Sequence, residues 1–138
     1  MKYWALALLA SAPLHAATLT IEVGNIKSDV GSMNVTIYDS KDTWLGDNYV
    51  ATQSILVKEN MSDGVVMATF EVEPGDYAVS VHHDDNDNGK MDTNFIGIPK
   101  EPTGLSNGAV PKFGPPKYKD AVFPVGEDGV KMSIMLLD

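Results

Sequence analysis

The sequence contains no cysteine and no arginine. The first absence excludes disulfides, thiol nucleophiles, thiolate-bound metals and lipid attachment at an amino-terminal cysteine. The second removes the bidentate guanidinium fork on which phosphate and nucleic-acid sites rely. All ten basic residues are lysines, set against 19 Asp and Glu, and the formal charge of −9 argues further against a nucleic-acid partner. Long apolar runs are also missing: nowhere do 18 consecutive apolar residues occur, so no membrane span is predicted. Nor does any window of a dozen residues keep a 3.6-residue apolar spacing with helix caps at both ends. At 138 residues, 43% apolar and 21% charged, the chain has the length and make-up of one globular domain.

Lys2 precedes an apolar run from Tyr3 to Ala10, which Ser11, Ala12 and Pro13 break ahead of His15-Ala16-Ala17. Charge, apolar stretch and then small residues is the order of a secretory signal peptide. Residues 1–16 are therefore predicted to be a signal peptide and 17–138 one mature domain, exported to the periplasm or the cell exterior. Leu14 is bulky for the third position before a cut after Ala16, so Ala17 is the alternative. The mature form is expected to be a soluble, acidic, disulfide-free monomer.

From Thr18 the pattern has period two, with Leu19, Ile21 and Val23 on one face and Thr18, Thr20 and Glu22 on the other. Similar runs follow at Met33-Val35-Ile37, Ile55-Val57, Val66 to Val72, Tyr77-Val79-Val81 and Met132-Ile134-Leu136, each bounded by turn residues such as Pro74-Gly75-Asp76. Six or seven short strands at this spacing predict an all-β antiparallel β-sandwich, with a closed barrel as the competitor. Two stretches interrupt the rhythm. Lys41 to Val50 has room for one helical turn, and Gly89 to Asp120 reads as one long loop, with five Pro and four Gly between Gly97 and Pro116. Phe95, Ile96, Ile98, Leu105, Val110, Phe113 and Tyr118 predict that this loop is packed, because disordered linkers lack such anchors.

The chemically sharpest segment follows the Tyr77 strand. Asp84, Asn86 and Asn88 at alternate positions, then Gly89, reproduce the first half of a D-x-[DN]-x-[DN]-G calcium loop. A hard cation needs six to eight oxygens, alternate residues of a tight turn face its centre, and Gly at the sixth place supplies the bend. Lys90 offers a backbone carbonyl and Asp92 stands at the ninth place. Asp84, Asn86, Asn88, Lys90 and Asp92 are thus the predicted Ca2+ ligands. The twelfth place is Phe95 where an EF-hand has Glu, so binding is expected in the weak, structural range of roughly 10⁻⁴ to 10⁻³ M, with Glu101 a distant further donor. The competing reading is a solvated Asn/Asp/Gly turn held by its own side-chain hydrogen bonds.

Other chemistry is sparse. His82 and His83 are adjacent on a strand and face opposite sides, His83 inward, where a structural role such as bonding a loop carboxylate is expected. Gly104-Leu105-Ser106-Asn107-Gly108 matches G-x-S-x-G formally, but that motif works only as a strand-to-helix turn, and no helix pattern follows. No catalytic residue is assigned. Trp44, Tyr49, Phe95, Phe113 and Tyr118 suit either anchoring of loops or a stacking platform. Lys112, Lys117 and Lys119 form the one basic cluster, too small for an anionic polymer.

The stretch Phe70 to Val81, with Pro74-Gly75-Asp76-Tyr77, resembles the strand pair of transthyretin-like (prealbumin) and collagen-adhesin B-type sandwiches. Its continuation through His83-Asp84, Asn88-Gly89-Lys90-Met91-Asp92, Gly97-Ile98-Pro99, Gly104-Leu105-Ser106-Asn107 and Gly114-Pro115-Pro116 resembles the bacterial family catalogued as domain of unknown function 2141. That resemblance implies an exported prealbumin-like sandwich with no assigned activity. The looser likeness to adhesin B-type repeats implies calcium ligands at Asp84, Asn86, Asn88 and Asp92. The expected function is a non-enzymatic exported module with a structural calcium loop and an unknown protein, peptide or glycan ligand. A carbohydrate- or peptide-binding module using the loop aromatics, and a metal-dependent hydrolase using Asp84, Asp92 and His83, are the alternatives.

Overall fold

A computed structural model describes residues 16–91, 93, 101–111 and 114–137. Nearly all of the predicted signal, and Asp92, Phe95, Lys112 and Phe113, lie outside the described residues. The chain folds into two facing sheets. The smaller places β1 (Ala17–Gly24) between β4 (Val66–Val72) and β8 (Val130–Met135). The larger runs β3 (Ala51–Leu56), β2 (Ser32–Tyr38), β5 (Gly75–Asp84), β6 (Thr103–Leu105), with β7 (Phe123–Val125) pairing with the first residues of β5.

Alternation decides what each strand buries. Leu19, Ile21 and Val23 of β1 are fully buried and pair with buried Phe70, Ala68 and Val66 of β4. A slip of one residue by either strand would turn its three to solvent, so the register is strongly specified. Met33, Val35 and Ile37 of β2 and Val79 and Val81 of β5 close the core from the opposite sheet. Among the described residues no helix is long and apolar enough to cross a membrane.

The all-β sandwich expectation holds, with three differences. Two of the eight strands among the described residues, β6 and β7, come from within or just beyond the segment read as one long loop. Each has three residues, too few for a period-two signal. β8 runs parallel to β1, a departure from the antiparallel rule. The turn ending at Gly129, closed by its N–H to Gly126 O, delivers the chain beside the outer edge of β1 in the same direction. Among the described residues the α-helical turns are α1 (Val57–Asn60) and α2 (Tyr118–Ala121), while residues 41–45 form hydrogen-bonded turns instead. β3 therefore ends at Leu56, because Val57 turns into the core and donates its N–H to Gly31 O. The sheets touch at one corner, where Thr103 and Leu137 exchange N–H···O bonds of 3.0 and 2.7 Å.

The outer face of the large sheet is covered at one end. Trp44 packs edge-on against Tyr38 and Tyr118, with centroids 5.1 and 5.9 Å away, and its Nε1–H donates to Pro116 O. Ser106 is fully buried there. Its hydroxyl accepts Val79 N–H at 2.9 Å and donates to Ala121 O at 2.6 Å. Ser106→Ala leaves that amide without its acceptor and is expected to cost about 1–3 kcal/mol in urea unfolding. Leu105, expected to be the anchor of this segment, is only half-buried.

Candidate metal centre

The other end of the same face holds the acidic turn. Strand alternation at the end of β5 sends His83 inward and His82 and Asp84 outward. His83 is 1% exposed; its Nε2 lies 2.7 Å from Val30 O, and its Nδ1 has no hydrogen-bond partner among the described residues. Its partner is a main-chain carbonyl of the β1–β2 connection rather than a loop carboxylate, because the inward face of β5 looks away from the acidic turn.

Outward does not mean exposed here. The β5–β6 ladder pairs His82 with Thr103, and His83 N–H donates to Pro102 O, which lays Glu101 across the sheet. Glu101 Oε1 lies 2.8 Å from His82 Nε2, and their side chains are only 4% and 13% exposed. Asp84 is 1% exposed. Ligand atoms of His82, Asp84 and Glu101 all lie within 4.8 Å of one another.

Backbone amides hold both carboxylates from behind. Asp84 accepts Gly89 N–H at 2.7 Å on Oδ2 and Asn88 N–H at 3.2 Å on Oδ1, while Glu101 Oε2 accepts Asp85 N–H at 3.1 Å. The Asp85 carboxyl also hydrogen-bonds Glu101, which raises its pKa above the ordinary Asp value. Burial and the negative charges of Glu101 and Asp84 add to the rise, and His83 opposes it.

The remaining predicted ligands take other positions. Asn86 Oδ1 accepts Asn88 N–H at 3.2 Å and Asn88 Oδ1 accepts Lys90 N–H at 3.0 Å, the local side-chain-to-backbone pattern of Asx turns. Asp87, at φ +56°, is tied to Ser32 Oγ at 2.8 Å, and exposed Gly89 turns the chain at φ +81°. Lys90 is exposed and Asp92 lies outside the described residues. The structure therefore joins Asp84 to Glu101, foreseen as a distant donor, and to His82, which the sequence reading assigned only an outward direction.

At the covered end, Lys41, Trp44, Lys117, Tyr118 and Lys119 line a cavity of about 510 Å³. Among the described residues none of these three lysines forms an ion pair.

The family model described as "Uncharacterized protein conserved in bacteria (DUF2141)" matches residues 21–133. No curated protein and no solved structure matches the chain.

Proposed function

We propose that this chain, which belongs to the uncharacterized bacterial family DUF2141, acts as an exported, monomeric, non-enzymatic β-sandwich module that holds a divalent cation at the end of β5. One observation carries the reading: two buried carboxylates, Asp84 and Glu101, and the imidazole of His82 place ligand atoms within 4.8 Å of one another. Two carboxylates held this close oppose one another's ionisation, and a divalent cation between them offsets that repulsion. Asp84 precedes and Glu101 follows the connection 85–100, so the ion also staples the two ends of a loop whose closure is otherwise opposed by chain entropy. Export rests on the Lys2 to Ala17 pattern. The non-enzymatic part is supported by Ser106, whose hydroxyl is buried and hydrogen-bonded to main chain.

An ion that binds only the native state at ten times its Kd adds about 1.4 kcal/mol. For a domain of this size that is a rise in Tm of roughly 3–6 °C. Melting in EDTA and in millimolar calcium, manganese or zinc is expected to show this rise for at least one ion, and Glu101→Gln to remove it. Identical melting in EDTA and in every ion would contradict the reading.

A second reading, a module for a glycan or peptide, is favoured by the Trp44 cavity, whose volume is in the range of about 300–1,000 Å³ typical of small-ligand sites. Its three lysines point to an acidic ligand. Uronic-acid oligosaccharides are expected to change Trp44 fluorescence in the Trp4→Phe chain, in which Trp44 is the sole tryptophan; an unchanged spectrum would remove this reading.

A further inference from the structure

The ion class follows from the donors, given the cation reading above. We infer that the resident ion is a borderline first-row metal, with zinc as its reference member, bound by His82 Nε2, Asp84 and Glu101, rather than calcium held by the acidic turn.

The donor set is the first reason. Calcium takes six to eight oxygens, whereas zinc and its neighbours accept imidazole nitrogen together with carboxylate oxygen, and three protein ligands with an open fourth position suffice. The most enclosed atoms at this site are two carboxylates and one imidazole. Burial is the second. Asn86 and Asn88, whose oxygens a calcium loop aims at its centre, are exposed, whereas Asp84 and Glu101 are buried.

Preorganisation is the third reason. N–H groups of Asp85, Asn88 and Gly89 hold Glu101 Oε2 and both oxygens of Asp84, fixing these side chains as outer hydrogen bonds fix metal ligands. Glu101 Oε1 is left turned to His82 Nε2. The three donors lie within 4.8 Å. A tetrahedral ion with bonds of about 2.1 Å sets its ligands about 3.4 Å apart, inside the 4.8 Å that bounds the three donors. Coordination uses the Nε2 lone pair, so the proton between Nε2 and Oε1 leaves for solvent as the ion enters.

The test strips the full-length chain with a chelator and titrates it with zinc, and separately with cobalt(II), with and without millimolar calcium. One equivalent of zinc is expected to bind undisturbed by calcium, and bound cobalt to give visible d–d absorption. His82→Gln and Glu101→Gln are each expected to lower zinc affinity at least about 100-fold, with the far-UV circular dichroism of the metal-free protein unchanged. Tight calcium binding that zinc cannot displace would overturn the ion class while leaving the cation reading intact. Absence of binding by every ion would overturn both. Zinc binding unaltered in both variants would place the ion on other carboxylates and overturn the site.

Discussion

Gly31→Ala is expected to destabilise the protein by about 2–5 kcal/mol, the larger part through the end of the sheet that carries Asp84. Gly31 has φ +75°, and a β-carbon there would stand 2.1 Å from Asp84 O and 2.8 Å from Asp85 Cα. The left-handed backbone alone costs a non-glycine residue roughly 1–2 kcal/mol. Displacing a packed neighbour adds about 1–3 kcal/mol, and here the neighbour is main chain, which gives less readily than a side chain. The same short turn receives His83 Nε2 at Val30 O and Val57 N–H at Gly31 O, so its movement disturbs the core as well as Asp84. Gly64→Ala is the control: it shares the conformation, at φ +79°, but meets nothing within 4 Å. It is expected to lose only the roughly 1–2 kcal/mol conformational part. Urea unfolding of the two variants measures the difference, and equal losses would show that the approach of Gly31 to Asp84 is unimportant.

Asp84→Ala is expected to cost about 2–4 kcal/mol in EDTA and to abolish any stabilisation by metal. The Asp84 side chain holds the acidic turn through Gly89 N–H and Asn88 N–H, and bonds to an ionised acceptor contribute about 1.5–3 kcal/mol each before the freed amides regain water. Asp84→Asn keeps one side-chain acceptor but loses the charge, so it is expected to fall about halfway. Thermal melting in EDTA and in zinc separates the two contributions. An Asp84→Ala protein that melts like wild type in EDTA would show that the turn is held by its other bonds.

The strands that the sequence made legible are those with long alternation: β1, β4 and β5 follow from Leu19-Ile21-Val23, Val66 to Val72 and Tyr77 to Val81, residue by residue. β6 was not legible, because Thr103-Gly104-Leu105 offers one apolar side chain and one glycine, and its existence depends on the edge of β5 being free to pair. Without β6, nothing in the sequence places Glu101 over His82. The acidic turn was legible as a turn. Its spacing alone does not distinguish oxygens that face an ion from oxygens that face amides, since both arrangements want Asp or Asn at alternate positions and Gly at the bend. Likewise G-x-S-x-G around Ser106 identifies a tight segment, while the burial of its hydroxyl comes from α2 packing over β5.

The most direct measurement is an anomalous-difference map at the zinc edge from crystals of the full-length protein grown with one equivalent of zinc. The expected result is one strong peak among His82 Nε2, the Asp84 carboxylate and Glu101 Oε1. A map with no peak there, or with its peak on the exposed side chains of Asp85 to Lys90, would contradict the proposed metal centre.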